Sequence, residues 1–135
     1  MTNKIINVCI IDDDEVYIYS VIKLIKSKGL CGNLMVFKSG FEALNHLKSI
    51  IKTPNLLPDI ILLDINMPKM DGWQFVEEFN KLNSKTGKKV IIHIVSSSID
   101  VRDESKANSL SVISNYYFKP VTREMLDTIF QNADI

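Results

Sequence analysis

The chain has 135 residues, of which 46% are hydrophobic and 24% are charged. These values are typical of a single globular domain and exclude a disordered chain, a collagen-like chain and a disulfide scaffold. The sixteen basic and sixteen acidic residues cancel, and nucleic-acid-binding domains of this size usually carry a basic excess, so no DNA- or RNA-binding function is expected.

Targeting and membrane segments are not recognisable in the sequence. No apolar run approaches the roughly 20 residues that a membrane span needs, and the first apolar run is too short for a signal peptide. The two cysteines, Cys9 and Cys31, fit no metal-ligand spacing and are interpreted as reduced thiols. These features predict a cytoplasmic protein without a membrane partner.

Short apolar runs alternate along the chain with longer segments of helical period. The runs are predicted to be strands and span residues 5–11, 34–37, 60–64, 90–95 and 116–118. Several are apolar on both faces, which is typical of strands buried in a parallel sheet.

The segments between and after these strands are predicted to be helices. Four of them carry apolar residues at helical spacing, namely Ile18, Val21, Ile22 and Ile25, then Phe41, Leu44, Leu47 and Ile51, then Phe75, Val76, Phe79 and Leu82, and last Met125, Leu126, Ile129 and Phe130. Ser39 and Glu42 have capping-box spacing, and Thr122 is a candidate N-cap. The segment 100–110 has only three apolar residues, so we expect a weakly anchored helix there.

Five strands that alternate with five helices predict an α/β fold. Because crossovers between parallel strands are right-handed, the helices are expected on both faces of a doubly wound, five-stranded parallel sheet. No linker or internal repeat interrupts the pattern, so residues 1–135 are expected to form one domain.

Polar residues stand at the carboxyl ends of four predicted strands, where open α/β sheets bind their ligands. They are the acidic run 12–15, Asp64, the serines 96–98 and Lys119. Carboxylates without a nearby histidine or cysteine favour Mg²⁺ or Mn²⁺. A lysine and a hydroxyl beside such a cation suit a phosphoryl group, which an aspartate can accept as nucleophile.

Each of these residues also has an ordinary structural interpretation. The acidic run could mark a helix N-terminus, the serines could form a turn, and Lys119 could lie on the surface. Asp64 resists such an interpretation, because a carboxylate that follows four buried residues needs a partner. The joint placement of all four groups at one edge of the sheet favours a functional site.

Three motifs resemble the receiver domain of two-component response regulators. They are residues 10–14 (IIDDD), 62–72 (LLDINMPKMDG) and 116–120 (YYFKP). The resemblance covers residues 5–133 and implies a flavodoxin-like, CheY-like fold with strand order 2-1-3-4-5.

The resemblance also implies an acceptor and a metal site. Asp64 matches the aspartate that accepts the phosphoryl group. Asp12 and Asp13 match the acidic pair that holds Mg²⁺, for which Mn²⁺ can substitute, with Asp13 the more direct ligand. Asp64 and the backbone carbonyl of Asn66 complete the implied protein ligands.

Three further residues match the switch machinery of the family. Ser96 matches the switch hydroxyl, and Lys119 matches the lysine that binds the phosphoryl group. Tyr116 matches the aromatic residue that moves inward when the hydroxyl engages the phosphoryl group. The Lys119–Pro120 peptide bond is expected to be cis, as it commonly is in the family.

The implied function is a phosphorylation-dependent signalling switch, which is not an enzyme beyond its own phosphorylation and dephosphorylation. A histidine kinase or a His-containing phosphotransfer protein would donate the phosphoryl group. With five residues after Phe130, no output domain is expected, so the signal would pass to a downstream protein or by phosphoryl relay. His46 and His93 are interpreted as structural.

Two alternatives belong to other classes of protein. One is an adaptor that keeps the receiver fold but binds its partner without phosphorylation. The other, much less favoured, is a haloacid-dehalogenase-like phosphatase. Such a phosphatase would place an acid two residues after its nucleophile, where this chain has Asn66.

Overall fold

The computed structural model describes residues 6–29 and 31–132. The first residue of the first predicted strand, Ile5, and the last residue of the family resemblance, Ala133, lie outside the described residues. The strands are β1 (Ile6–Ile11), β2 (Cys31–Phe37), β3 (Ile60–Leu63), β4 (Ile91–Ser96) and β5 (Ile113–Phe118). The helices are α1 (Glu15–Lys28), α2 (Gly40–Ser49), α3 (Gly72–Asn83), α4 (Val101–Ser109) and α5 (Arg123–Asn132), with a short 3-10 turn at Pro54–Leu56.

The five strands form one parallel sheet in the order β2-β1-β3-β4-β5. Ile11 of β1 stands opposite both Phe37 of β2 and Leu63 of β3, so these three strands end together. The predicted doubly wound fold with strand order 2-1-3-4-5 is therefore confirmed.

Two hydrophobic clusters cover the two faces of the sheet. Because side chains alternate along a strand, Cys9 and Ile11 pack with α2 and α3, whereas Val8 and Ile10 pack with α1 and α5. The inner strands β1 and β3 are buried almost throughout, as their apolar sequences predict. Their carboxyl ends are thus held firmly from both sides.

The two outer strands are longer than the sequence predicts. β2 begins at Cys31 instead of residue 34, and β5 begins at Ile113 instead of residue 116. Their added positions include exposed polar or small residues, namely Gly32, Asn33, Ser114 and Asn115. A strand at the edge of a sheet has a neighbour on one side only, so such residues are tolerated there.

Helix termini agree with most of the predicted caps. The Ser39 hydroxyl accepts a hydrogen bond from the Glu42 amide at 3.1 Å, and the Thr122 hydroxyl accepts one from the Met125 amide at 3.1 Å. The complete capping box lies elsewhere, at Asp71 and Gln74 of α3. This box was not predicted, although its spacing fits the motif.

The weak anchoring predicted for the fourth helix is confirmed. Ala107 is the buried residue of α4, whereas Val101 at its start is 72% exposed. Both cysteines are free thiols, Cys9 within β1 and Cys31 at the start of β2. Across the described ranges, every helix is too short or too polar to cross a membrane.

Candidate functional site

Two buried aspartates lie one residue beyond the ends of the inner strands. The Asp12 amide donates to the Phe37 carbonyl at 3.0 Å, and the Asp64 amide donates to the Ile11 carbonyl at 3.0 Å. These bonds extend the ladder of the sheet by one step, which fixes the direction of both side chains. Asp12 is 1% exposed and Asp64 is 5% exposed, so two carboxylates are held together in a region from which water is largely excluded.

The site brings together the carboxylates that the sequence predicts as metal ligands. Asp12, Asp13 and Asp64 each offer an oxygen atom, and these oxygens lie within 4.8 Å of one another. Oxygen donors alone suit Mg²⁺ or Mn²⁺. Among the described residues, Oδ2 of Asp12 has the Lys119 ammonium as an ion-pair partner but accepts no hydrogen bond of good geometry. The donor set therefore fits a divalent cation of this class.

The acidic run divides between two tasks. Asp14 is the N-cap of α1, and its carboxylate accepts hydrogen bonds from the amides of Val16 at 3.1 Å and Tyr17 at 3.2 Å. Glu15 lies in the first turn of α1 and pairs with Lys38. Both interpretations of this run therefore have a structural basis, since Asp12 and Asp13 lie in the acidic cluster whereas Asp14 and Glu15 lie at the start of the helix.

Lys119 supplies the positive charge at the site from the end of β5. Its Nζ lies 3.0 Å from Asp12 Oδ2 and 3.9 Å from Asp64 Oδ2, and 4.5 Å from the centroid of the Tyr17 ring. The Lys119 amide donates to the Ser96 carbonyl at 3.0 Å, and the Lys119–Pro120 bond is cis, as expected. The Lys119 Nζ also lies 3.8 Å from Asp14 Oδ2, so one ammonium group faces three carboxylates and the site keeps an excess of negative charge.

Burial raises the pKa of both inner aspartates. For Asp12, burial raises the pKa to about 6, although the Asp14 amide and Lys119 act in the opposite direction. For Asp64, burial again raises the pKa more than Lys119 and the Asn66 amide lower it. Ionising both groups at neutral pH is therefore costly without a further positive charge, which is the electrostatic condition that favours cation binding.

Ser96 and Tyr116 stand beside these charges. Ser96 is fully buried at the end of β4, the strand next to β3, and a hydrogen bond from its hydroxyl acts to lower the pKa of Asp64 against the larger effect of burial. Its Oγ accepts a hydrogen bond from the Ser98 amide at 3.1 Å. The half-buried Tyr116 lies one step further out, where its hydroxyl donates to the Ser98 carbonyl at 3.0 Å.

Asn66 reaches the site through its backbone. Its amide donates to Oδ1 of Asp64 at 3.3 Å, while the residue itself is exposed. The part assigned to its carbonyl as a metal ligand stays a prediction.

One connected group of residues at the site was not predicted. The Asp103 carboxylate accepts hydrogen bonds from Trp73 Nε1 at 3.2 Å and from Ser98 Oγ at 2.8 Å. Nothing in the local pattern around Asp103 or Trp73 indicates this contact, since it depends on how α3 and α4 face each other.

Comparison with known proteins identifies the family. The model of the response regulator receiver domain matches residues 8–131. The chain belongs to the receiver domain family of two-component response regulators. Receiver domains are signalling domains, and they typically bind Mg²⁺ at an aspartate cluster such as the one described above.

Solved structures of other response regulators have the same fold as this receiver domain. A two-component response regulator from Cytophaga hutchinsonii is 30% identical, with a TM-score of 0.87 over 96% of this chain and 97% of that chain. A two-component response regulator from Legionella pneumophila is 28% identical, with a TM-score of 0.76 over 95% of this chain and 97% of that chain.

A curated relative is much longer than this receiver domain. The sensor histidine kinase CheAY of Helicobacter pylori is 32% identical over 123 residues, which cover 91% of this chain but only 14% of that protein. The similarity therefore concerns a small part of that kinase.

Proposed function

We propose that this receiver domain is a phosphorylation-dependent switch that accepts a phosphoryl group on Asp64. The observation that carries the proposal is the convergence of an acidic group, a lysine and a hydroxyl on one buried carboxylate. Phosphoryl transfer depends mainly on positioning and charge stabilisation, and these residues supply both.

The proposed donor is a phosphohistidine of a histidine kinase or of a His-containing phosphotransfer protein. A bond forms between phosphorus and an oxygen of ionised Asp64 as the phosphorus–nitrogen bond of the donor breaks. The imidazole nitrogen keeps the electron pair and is protonated as it leaves. Family membership and the resemblance to a part of a sensor histidine kinase support a donor of this class.

The surrounding residues receive the transferred group. Asp12, Asp13, Asp64 and the carbonyl of Asn66 would hold Mg²⁺ or Mn²⁺, which when bound neutralises phosphoryl oxygens. Lys119 binds a further oxygen, and Ser96 donates a hydrogen bond to another. These positive and hydrogen-bonding contacts offset the negative charge that the phosphoryl group adds beside the aspartates.

The proposed output is a change at the face formed by α4, β5 and α5. Movement of Ser96 towards the phosphoryl group alters its bond with the Ser98 amide, and Ser98 in turn holds the Tyr116 hydroxyl. The weakly anchored α4 can shift at low cost. A downstream protein in the cytoplasm then reads this face, or the phosphoryl group is relayed, without a nucleic-acid or membrane partner.

The test is phosphoryl uptake from acetyl phosphate, with Mg²⁺ or with EDTA, read by intact mass under mild acid. We expect one phosphoryl group on the wild type in Mg²⁺ and none on Asp64→Asn. Glu15→Gln is the matched control, because Glu15 is an exposed acid of the same run and pairs with Lys38 instead of with a residue of the site.

Two results would contradict the proposal. Labelling that persists in a folded Asp64→Asn variant would show that another residue is the acceptor. A folded wild type that takes up no phosphoryl group, from acetyl phosphate or from phosphorylated histidine kinases, would favour the phosphorylation-independent adaptor.

A further inference from the structure

The indole of Trp73, in the first turn of α3, lies against two side chains of α4. Its Nε1–H donates to Oδ1 of Asp103 at 3.2 Å, and the Lys106 ammonium lies 5.0 Å from the centroid of its ring. Asp103 and Lys106 are three positions apart and so project from the same side of the helix. Trp73 thus contacts α4 through both its indole N–H group and the face of its ring.

This contact matters because α4 is otherwise held mainly by its packing against β5. Ala107 is its buried residue, and Val101 is 72% exposed. A helix of nine residues with so small an apolar face gains little stability from packing. Its position therefore depends strongly on the polar and cation–π contacts that Asp103 and Lys106 make with Trp73.

Asp103 also reaches the segment that follows β4. Its Oδ2 accepts a hydrogen bond from Ser98 Oγ at 2.8 Å. Ser98 holds two switch residues through its backbone, since its amide donates to Ser96 Oγ at 3.1 Å and its carbonyl accepts from the Tyr116 hydroxyl at 3.0 Å. All three polar groups of Ser98 are thus engaged.

The hydrogen bond from the Ser98 amide to Ser96 Oγ limits the hydrogen bonds that the Ser96 hydroxyl can make. Its Oγ already accepts a hydrogen bond from an amide, so its own hydrogen is left to donate. Because β3 and β4 are adjacent and Asp64 directly follows β3, the Asp64 carboxylate is the acceptor available to it, and this hydrogen bond acts against the rise in pKa that burial causes. A displaced Ser98 would release the Ser96 hydroxyl to turn away from the site.

We propose that Asp103 is a positioning residue of the phosphoryl site, which through Ser98 orients the Ser96 hydroxyl towards Asp64, and that Trp73 holds Asp103 in place. This inference rests on the proposed function. Asp103 touches neither Asp64 nor the transferred group. The same contacts operate in the opposite direction, so displacement of Ser96 by a bound phosphoryl group reaches the indole of Trp73.

Phosphoryl uptake tests this role. We expect Asp103→Ala to take up the phosphoryl group from acetyl phosphate about five- to tenfold more slowly than wild type, the factor that corresponds to the net contribution of one typical hydrogen bond. Asp103→Asn keeps the shape and one acceptor oxygen, so its rate should be intermediate. Glu104→Gln, which removes the same charge from the next, exposed position of α4, should match wild type.

A double-mutant cycle tests whether Asp103 acts through Ser98. Ser98→Ala alone should slow uptake by a similar factor, and the Ser98→Ala, Asp103→Ala double variant should be no slower than either single variant. Additive losses, or an unchanged rate in a folded Asp103→Ala variant, would overturn the inference.

A measurement without any phosphoryl donor separates this inference from the proposed function. Trp73 is the single tryptophan of the chain, so its indole N–H gives one resonance in an NMR spectrum. In the unphosphorylated protein, Asp103→Ala should shift this resonance together with the amide resonance of Ser98, whereas Glu104→Gln should shift neither.

Failure of the proposed function and failure of the inference about Asp103 can then be distinguished. A wild type that takes up no phosphoryl group refutes the proposed function, and the NMR comparison still decides whether Asp103 links Trp73 to Ser98. An unchanged Ser98 amide resonance in Asp103→Ala refutes the link itself. If Asp103→Ala does not fold, Asp103→Asn applies the same test with a smaller perturbation, and Trp73→Phe applies it through the Ser98 amide resonance alone.

Discussion

His93 carries a buried imidazole whose protonation should weaken the fold. It lies in β4 at 1% exposure, with its ring 5.5 Å from that of Tyr117. Neither ring nitrogen has a hydrogen-bond partner among the described residues. Burial lowers the pKa of His93 from 6.5 to about 4. The folded protein therefore resists a proton that the unfolded chain accepts readily.

The sign and size of the effect follow from linkage. Above pH 6.5 both states are neutral at this residue, so His93 causes no pH dependence. As the pH falls from 6.5 to about 4, the unfolded chain binds more protons and stability is lost at about 1.4 kcal/mol per pH unit. The total loss is about 3 kcal/mol.

Asp12 acts in the opposite direction over nearly the same range. Its pKa is raised from 3.8 to about 6 in the metal-free fold, so the folded protein binds a proton first and gains stability as the pH falls. The gain is also about 3 kcal/mol by the same conversion. Asp64, whose pKa is also raised by burial, acts in the same direction as Asp12. The contribution of His93 is therefore masked in the wild type and has to be measured as a difference between variants.

Urea unfolding of wild type and His93→Leu between pH 7.5 and 4, in EDTA, reveals this contribution. At pH 7.5, the difference in free energy of unfolding between the two proteins reports the change in packing and the loss of the ring nitrogens. At pH 4, this difference should have moved by about 3 kcal/mol in favour of the variant. His46→Gln, at the exposed histidine of α2, should follow the wild type. A difference between wild type and His93→Leu that stays constant with pH would refute the reasoning.

Two further changes test the cation site and the packing behind it. Mg²⁺ at about 100 times its dissociation constant should raise the free energy of unfolding by about 2.7 kcal/mol. Asp13→Asn should lose most of this gain and Glu15→Gln, at the exposed acid that pairs with Lys38, should keep it. Equal gains in both variants would contradict the assigned ligands. In Gly72→Ala the new Cβ would lie 2.6 Å from the Asp64 carbonyl oxygen, so thermal unfolding should show that the free energy of unfolding falls by about 1–3 kcal/mol. Gly40→Ala, whose Cβ meets mainly a flexible methionine at 3.3 Å, should lose less stability. The reverse order would contradict the close approach of α3 to Asp64.

The interior of the fold was predictable because burial on both faces leaves a strong pattern. β1 and β3 are nearly continuous apolar runs, and their ends were predicted to within one residue among the residues described. The starts of β2 and β5 were missed for the opposite reason. At these edges backbone pairing holds residues such as Asn33 and Ser114 in the sheet while their side chains remain in water, so the sequence carries no apolar signal.

The site was predictable to the extent that topology alone brings residues together. In a parallel sheet the strand ends share one edge, which places Asp12, Asp64, Ser96 and Lys119 near one another whatever the helices do. The contact between Trp73 and Asp103 joins residues 30 positions apart on two helices. This contact depends on the rotation and separation of α3 and α4, which the sequence pattern does not predict.

The acidic run makes the length of one short connection critical. β1 is fixed up to Ile11 by its pairing on both sides, and α1 is fixed from Asp14 by its cap. Two residues lie between these points, and both contribute carboxylates to the site. Deleting one acid would leave the composition of the run almost unchanged, yet either a site carboxylate or the helix cap would be lost. A point substitution in this segment should therefore disturb the site and the helix cap less than the deletion or insertion of a single residue.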